Sequence, residues 1–366
     1  MPIDLPLRPS RPSRRRLLYV AGAAGGLASL GFFGQRVWAT GRLAPLSAEL
    51  ANPAICHTPA AAIAPEGAPR ELKLTWNANA ICTVGVPVAD QRGIFEKHNL
   101  KVELINFGGS TDQLLEAIAT GKADAGVGMA LRWLKPLEQG FDVRITTAIH
   151  GGCMRLLAAH DSDINGVADL KGKTVGVNDL GAPDKNFFSI VAAKLGLDPV
   201  RDIEWKVLPA DLLPVALQRG DIQAFTQGDP LAWVARERDN LKQVASNLDG
   251  EYAHRACCVL GVRGGLIKDD RTTAAALTQA LLDAQEWVYA NPDEAAAIFA
   301  PYAPKAKPEQ LAAMLRSHTH NHHPTGPELT HEIALYAQDL KGIEVIRPGT
   351  DADRFAARVT ADVLAS

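Results

Sequence analysis

From residue 72 onward, short apolar runs alternate with amphipathic stretches, and the alternation predicts strands and helices in turn. Residues 72–76 (Leu-Lys-Leu-Thr-Trp) read as a strand and residues 88–98 as a helix closing at Asn99. Residues 102–107 read as a second strand, after which Gly108-Gly109-Ser110 leads into a helix over 111–120 and a short strand over 123–127. A second block has the same rhythm, with a turn and strand over 170–177, a helix over 186–195 ending at Gly196, and a strand over 203–208. Past a strand at 257–262 the pattern turns helical, over 271–290, 292–299, 308–318 and 327–340. Prolines open three of these helices, where the first turn has no acceptor for its N–H groups in any case.

The two blocks are related. Asp112-Gln113-Leu114 to Gly121-Lys122-Ala123-Asp124-Ala125 matches Asp211-Leu212-Leu213 to Gly220-Asp221-Ile222-Gln223-Ala224 at an offset of 99 residues. Each copy is a helix that stops at glycine and then rises into a strand. Gly121 and Gly220 can take the left-handed C-cap conformation that reverses the chain onto the sheet. The fold class expected is therefore α/β, in two lobes of similar design. Residues 40–69, with Pro45, Pro53, Pro59, Pro65 and Pro69, read as an extended linker, so that folding begins near Glu71.

Composition narrows the picture. The chain has 366 residues, 47% of them hydrophobic, enough for one large or two ordinary cores. Its net charge of -3 hides an asymmetry, because the first 39 residues carry six arginines against Asp4 alone. The remainder is acidic and offers no basic stripe to displace phosphate counterions, which argues against nucleic acid. The start resembles a twin-arginine export signal. Ser13-Arg14-Arg15-Arg16-Leu17-Leu18 is followed by an apolar run over 17–34 and by Val37-Trp38-Ala39, which suits cleavage after Ala39. Five glycines dilute the run and disfavour a true membrane span, while retention as an uncleaved anchor stays open. Five cysteines are an odd number for an oxidising compartment, so at least one is a free thiol or binds something.

Three segments carry a family likeness over nearly all of the expected mature chain. Arg92-Gly93-Ile94-Phe95-Glu96-Lys97-His98-Asn99-Leu100-Lys101-Val102-Glu103, Ala117-Ile118-Ala119-Thr120-Gly121-Lys122-Ala123-Asp124 and Val167-Ala168-Asp169-Leu170-Lys171-Gly172-Lys173-Thr174-Val175-Gly176-Val177 resemble the nitrate, sulfonate and taurine class of periplasmic ABC solute-binding proteins. The resemblance implies the two-lobed (type II) periplasmic binding protein fold, with two α/β lobes joined by two hinge strands. It implies a first lobe of residues 70–155 plus 260–366, a second of 156–259, and crossings near 154–157 and 258–262. It further implies a small-molecule ligand in the interlobe cleft, permease and ATPase subunits as partners, a monomer, and no cofactor. Closure about such a hinge buries the ligand.

In an open α/β lobe, ligands sit beyond the carboxyl ends of the strands. That rule points to Asn77, Asn79 and Cys82 after the first strand, with Asn as a turn residue the plainer alternative. Family position adds Met129 and Ala130, with Trp133 a core residue or a stacking platform. His150, Gly151 and Cys153 precede the first crossing; a His beside glycines can approach a ligand or serve a structural bond. Gly181, Ala182, Lys185 and Asn186 form a strand-to-helix turn that favours an anion or carbonyl, although Asp184 and the lack of a hydroxyl residue count against a sulfonate. Gln227 and Asp229 follow the last strand of the repeat, Asp229 being equally a cap for the helix that follows. Cys257, with Cys258 and His254, completes a sulfur and imidazole lining compatible with a neutral or soft ligand or a transition metal complex. Cys153 could instead pair with Cys257 or Cys258 as a disulfide, or the thiols stay inert. His318-Thr319-His320-Asn321-His322-His323 is a locally His-rich candidate for metal. Nothing resembles a nucleophile with its base or a phosphate loop, so no catalytic residue is assigned. The competing readings are an enzyme or precursor-binding protein akin to thiamine-pyrimidine synthases, a metal-complex receptor, and a sensor subunit.

Overall fold

The computed structural model describes residues 63–107, 111–319 and 321–365. The expected export signal, Cys56, most of the linker, and His320 lie outside the described residues. Folded structure starts at β1 (Arg70–Trp76), within one residue of the expected start.

The first half runs β1, α1 (Gly85–Gln91), α2 (Ile94–Lys97), β2 (Leu100–Asn106), α3 (Thr111–Ala119), β3 (Ala125–Met129), α4 (Ala130–Glu138) and β4 (Val143–His150). The second runs β5 (Met154–Ala159), β6 (Lys173–Val177), α5 (Pro183–Lys194), β7 (Ile203–Val207), α6 (Leu213–Gln218), β8 (Ala224–Gly228), α7 (Leu231–Arg238) and β9 (Leu241–Ser246). After β10 (Cys258–Arg263) come α8 (Gly264–Asp269), α9 (Arg271–Ala290), α10 (Pro292–Phe299), α11 (Pro308–Ser317), α12 (Gly326–Gly342) and α13 (Ala352–Val359). The single helix expected over 88–98 is two, because Gly93 takes φ 64°, a left-handed conformation that ends one helix and starts the next.

Two five-stranded sheets form the two lobes, with orders β2-β1-β3-β10-β4 and β7-β6-β8-β5-β9. They are built alike: three parallel strands, then one antiparallel strand, then an edge strand. β3 and β8 begin 99 residues apart, at Ala125 and Ala224, so the sequence repeat is a repeat of structure. Gly121 and Gly220 take φ 75° and 77°, as their C-cap role demands.

The antiparallel strand of the first sheet comes from beyond the second lobe, whereas that of the second sheet opens the second half of the chain. β5 follows β4 directly but pairs with β8 and β9, while β10 follows β9 but pairs with β3 and β4. The chain therefore changes lobes over residues 151–153 and 247–257. The segments 154–157 and 258–262, expected as crossings, are ordinary ladder strands: Met154 and Arg155 already pair with Gly228 and Gln227 of the second sheet, and Cys258 with Met129 of the first.

Packing explains the small residues of the first sheet. Trp133 is fully buried across Gly128 and Gly261, where an added Cβ would lie 2.2 Å and 2.8 Å from the indole. Burying a side chain of that size stabilises by about 1.5–3 kcal/mol. The C-terminal helices close the same lobe, with α9, α12 and α13 packed on β4 and Ala361 N bonded to Ile145 O at 2.9 Å. Among the described residues no helix is long and apolar enough to cross a membrane.

Candidate ligand-binding site

The carboxyl ends of the parallel strands face one another across a cavity of about 320 Å³, in the range of small-molecule sites. The first lobe contributes Asn77, Asn79 and Ala80 after β1, Asp112 on α3, and Met129 and Arg132 after β3. From the second come Asn178 and Asp179 after β6, Ala182 to Asp184 at the start of α5, and Gln227 to Asp229 at the end of β8, with Met154 and Leu231.

Asn77 is both turn and wall. Its Oδ1 accepts from Asn79 N at 2.9 Å and its carbonyl from Thr83 Oγ1 at 2.8 Å, which fixes the loop that projects Asn79. Arg132 spans the cleft. Its guanidinium forks onto Asp112 of its own lobe, with Nε to Oδ1 at 2.7 Å, and reaches Asp179 Oδ2 of the other lobe at 2.9 Å. Gly181 is small for this reason, since a Cβ there would lie 2.2 Å from Arg132 Nη1. Burial disfavours the charge on Asp179, yet bonds from Gly181 N and Arg132 hold its carboxyl below the usual range. Asn186 Nδ2 adds a second bridge between lobes, to Leu131 O at 3.3 Å, and Ile81 N a third, to Asp229 O at 3.3 Å.

Asp184 differs from its neighbours. It is 6% exposed, accepts from Thr226 Oγ1 at 2.7 Å, and has no ion-pair partner among the described residues. Burial pushes its carboxyl above the ordinary value.

Under the cavity floor lies a buried polar chain. Arg155 Nε and Nη2 grip Asp229 at 2.9 Å and 2.7 Å, and His318 Nε2 lies 3.0 Å from Asp229 Oδ2. His318 Nδ1 in turn faces His150 Nε2 at 3.0 Å, and Gly152 N donates to His150 Nδ1 at 3.1 Å. The backbone donor fixes the tautomers: His150 donates to His318, and His318 donates to the carboxylate. Burial opposes the charge on Asp229, but His318 and Arg155 hold it below the ordinary carboxylate range. Asp229 also caps α7, accepting from Trp233 N at 3.1 Å.

Beside this chain four buried, free cysteines converge: Cys82, Cys153, Cys257 and Cys258. Cys258 Sγ on β10 lies 3.0 Å from Cys82 Sγ in the turn that follows β1. Donation from Cys153 and Cys258 pulls the Cys82 thiol down to about 6. Cys257 and Cys258 act on Cys153 in the same direction, but its bond to Cys82 and its burial prevail and raise it to about 11. The ligand atoms of Cys82, His150 and Cys153 come within 4.8 Å of one another, a soft donor set.

Of the residues expected from sequence, Asn77, Asn79, Met129, Ala182, Gln227 and Asp229 stand on the cavity wall. Cys82, Ala130, His150, Gly151, Cys153 and Cys257 are packed behind it: Ala130 N bonds Cys257 O at 2.9 Å, and Gly151 lies against Thr319. Gly181 and Asn186 serve the bridges between lobes. Lys185 is turned away, its ammonium 5.6 Å from the Trp205 ring centre, so it does not offset Asp184. The His-rich segment divides: His318 joins the buried chain, while His322 Nε2 lies on Glu332 Oε1 at 2.6 Å and shares with Glu328 and Glu332 a group whose ligand atoms lie within 4.8 Å of one another. Sequence reasoning left out Asp112, Arg132, Asn178 and Asp179 as wall residues, and weighed Asp184 only as a charge against a sulfonate. All five follow the strand ends or open the next helix, the places where the other candidates were found.

Comparison with known proteins extends the architecture. The periplasmic aliphatic sulphonate binding protein SsuA of Escherichia coli has a similar structure, with TM-score 0.68 and 18% identity over 80% of this chain and 92% of that one. The periplasmic nitrate-binding protein NrtA of Synechocystis PCC 6803 gives TM-score 0.67 and 14% identity over 81% and 88%. At these identities the likeness shows a shared periplasmic binding protein fold. A Haemophilus influenzae protein named for thiamine biosynthesis is 27% identical over 239 residues, 64% of this chain and 73% of that protein. The model of one family matches residues 66–302, which takes in both sheets and every strand that faces the cavity, so the chain belongs to the NMT1-like family.

Proposed function

We propose that this protein is the extracytoplasmic solute-binding component of an ABC importer, capturing one small molecule between its lobes and presenting the closed form to permease and ATPase subunits. The observation that carries this reading is the cavity itself, walled by the strand ends of both lobes and bridged by Arg132. A site shared by two bodies couples occupancy to closure, because ligand contacts with both walls exist only when the lobes meet. The Arg14-Arg15 signal supports export by the twin-arginine route, and the acidic body supports a life away from nucleic acid. The protein works as a monomer with no chemistry of its own. A second reading, service to thiamine biosynthesis as an enzyme or a precursor-binding protein, is favoured by the Haemophilus influenzae relative.

Small-angle scattering of purified protein, before and after dialysis against an extract of its own host, tests the main reading. The radius of gyration is expected to fall and the melting temperature to rise as the lobes close on a retained molecule. Turnover of that molecule into a product would favour the enzyme instead.

A further inference from the structure

The charge of the cavity wall points to the class of ligand. Asp112, Asp179, Asp184 and Asp229 line it, the last already held by Arg155 and His318, and Arg132 is its one cationic side chain among the described residues. That guanidinium is already engaged by Asp112 and Asp179, so it offers an incoming anion no unpaired charge. The α5 N-terminus, which by itself would welcome an anion, is occupied by Asp184. Lys185 is held on Trp205.

We propose that the cavity takes a compact ligand bearing a protonated nitrogen, an amine or amidine, set against Asp184, and that it excludes oxyanions. The inference rests on the reading of this cavity as the solute site. Asp184 is the anchor because a buried carboxylate without a cationic partner is costly, and a ligand N–H⁺ supplies the counter-charge that the protein withholds. Thr226 fixes the carboxyl by donating to Oδ2. Asn77, Asn178 and Gln227 add amide groups that accept further N–H bonds, while Met129, Met154 and Leu231 supply apolar surface for a short carbon skeleton. An oxyanion in the same place would stand among four wall carboxylates, one of them without a cationic partner, and stay without a free cation, a juxtaposition that costs several kcal/mol across an interface. Selection by charge here follows from repulsion as much as attraction.

The test is a thermal-shift titration of the purified chain with matched pairs on one skeleton, propylamine with propanesulfonate and benzylamine with phenylmethanesulfonate, and with acetamidine and nitrate as a further cation and anion. Stabilisation by amine or amidine members and none by the anions is expected. Asp184→Asn, with its own melting temperature as the check on folding, is expected to weaken the amine response at least tenfold. Stabilisation by the sulfonates or nitrate overturns the charge class and leaves the receptor reading standing. Silence across the whole set also overturns it, and the host-extract scattering experiment then decides the receptor reading separately. Should Asp184→Asn fail to fold, the response of the unaltered chain to the matched pairs decides between the two charge classes.

Discussion

His318 Nε2 and Asp229 Oδ2 meet at 3.0 Å with both side chains fully buried, and they join the C-terminal helical region of the first lobe to the end of β8 in the second. Arg155 holds the same carboxylate from the β5 side. Removing the carboxylate leaves the Arg155 guanidinium charged in a dry interior and His318 without its acceptor, so Asp229→Ala is expected to cost about 3–5 kcal/mol, read by urea unfolding. The carboxyl is depressed in the folded state. Its contribution is therefore present above the ordinary carboxylate value and is lost as pH falls through the lower folded value. Stability of the native sequence should drop from pH 5 toward acid more steeply than that of Asp229→Asn, and parallel curves would overturn the assignment.

Arg132 is the exposed counterpart of that buried junction. Partly solvated interlobe pairs contribute about 0.2–1 kcal/mol, so Arg132→Ala is expected to loosen closure and weaken ligand binding by about two- to fivefold. Scattering without ligand should show a larger mean radius for the variant. An unchanged radius would mean that Asn186 and Ile81 hold the lobes without it.

Gly128→Ala sets a methyl group against the six-membered ring of Trp133, a fully buried side chain that also covers Gly261. Overpacking of this kind costs about 1–3 kcal/mol. Calorimetry should show a lower melting temperature with ligand affinity intact below it.

His98 has an acceptor on each ring nitrogen, Ile63 O on Nδ1 and Asp283 Oδ2 on Nε2, both at 2.8 Å. Both bonds require two protons, so the folded state favours the imidazolium. Burial works against that charge, but Asp283 and the Ile63 carbonyl outweigh it and raise the value above the ordinary one. Stability from this group is complete below the unfolded value and fades as pH rises through the folded one. Urea midpoints should fall from pH 6 to pH 8, and His98→Gln should flatten that slope.

The four clustered cysteines have almost no surface, so iodoacetamide should leave them unmodified in the native protein and alkylate them in urea. Peptide mass mapping distinguishes them from Cys56. Prompt native labelling of Cys82 would show that the thiol held near 6 is reached through opening of the hinge.

The rhythm of strands and helices, the repeat at 99 residues and the two-lobed plan were legible in the sequence because each rests on local signals: apolar period, glycine caps and proline starts. The site was legible only in part. Asn77, Asn79, Gln227 and Asp229 could be placed on the wall by the rule that ligands collect beyond strand ends. Depth could not be read, so His150 and the cysteines, adjacent in sequence to wall residues, were expected at the surface of the cleft and lie one layer behind it. Lys185 shows why: whether a helical side chain turns to the cleft or onto Trp205 depends on rotation and packing, which no run of letters carries. Arg132 was equally opaque, since its partners Asp112 and Asp179 lie 20 and 47 residues away.

The return of β10 to the first sheet has a consequence for how the molecule is made. During synthesis the first sheet lacks an interior member until residue 263 has emerged, and its edge strand β4 has nothing to pair with in the meantime. The first lobe is not a detachable amino-terminal module: a fragment ending at β9 would leave β3 exposed along one side. Completion of the first lobe is thus the later event, reached only after every strand of the second sheet has been made and the chain has returned across the link of residues 247–257.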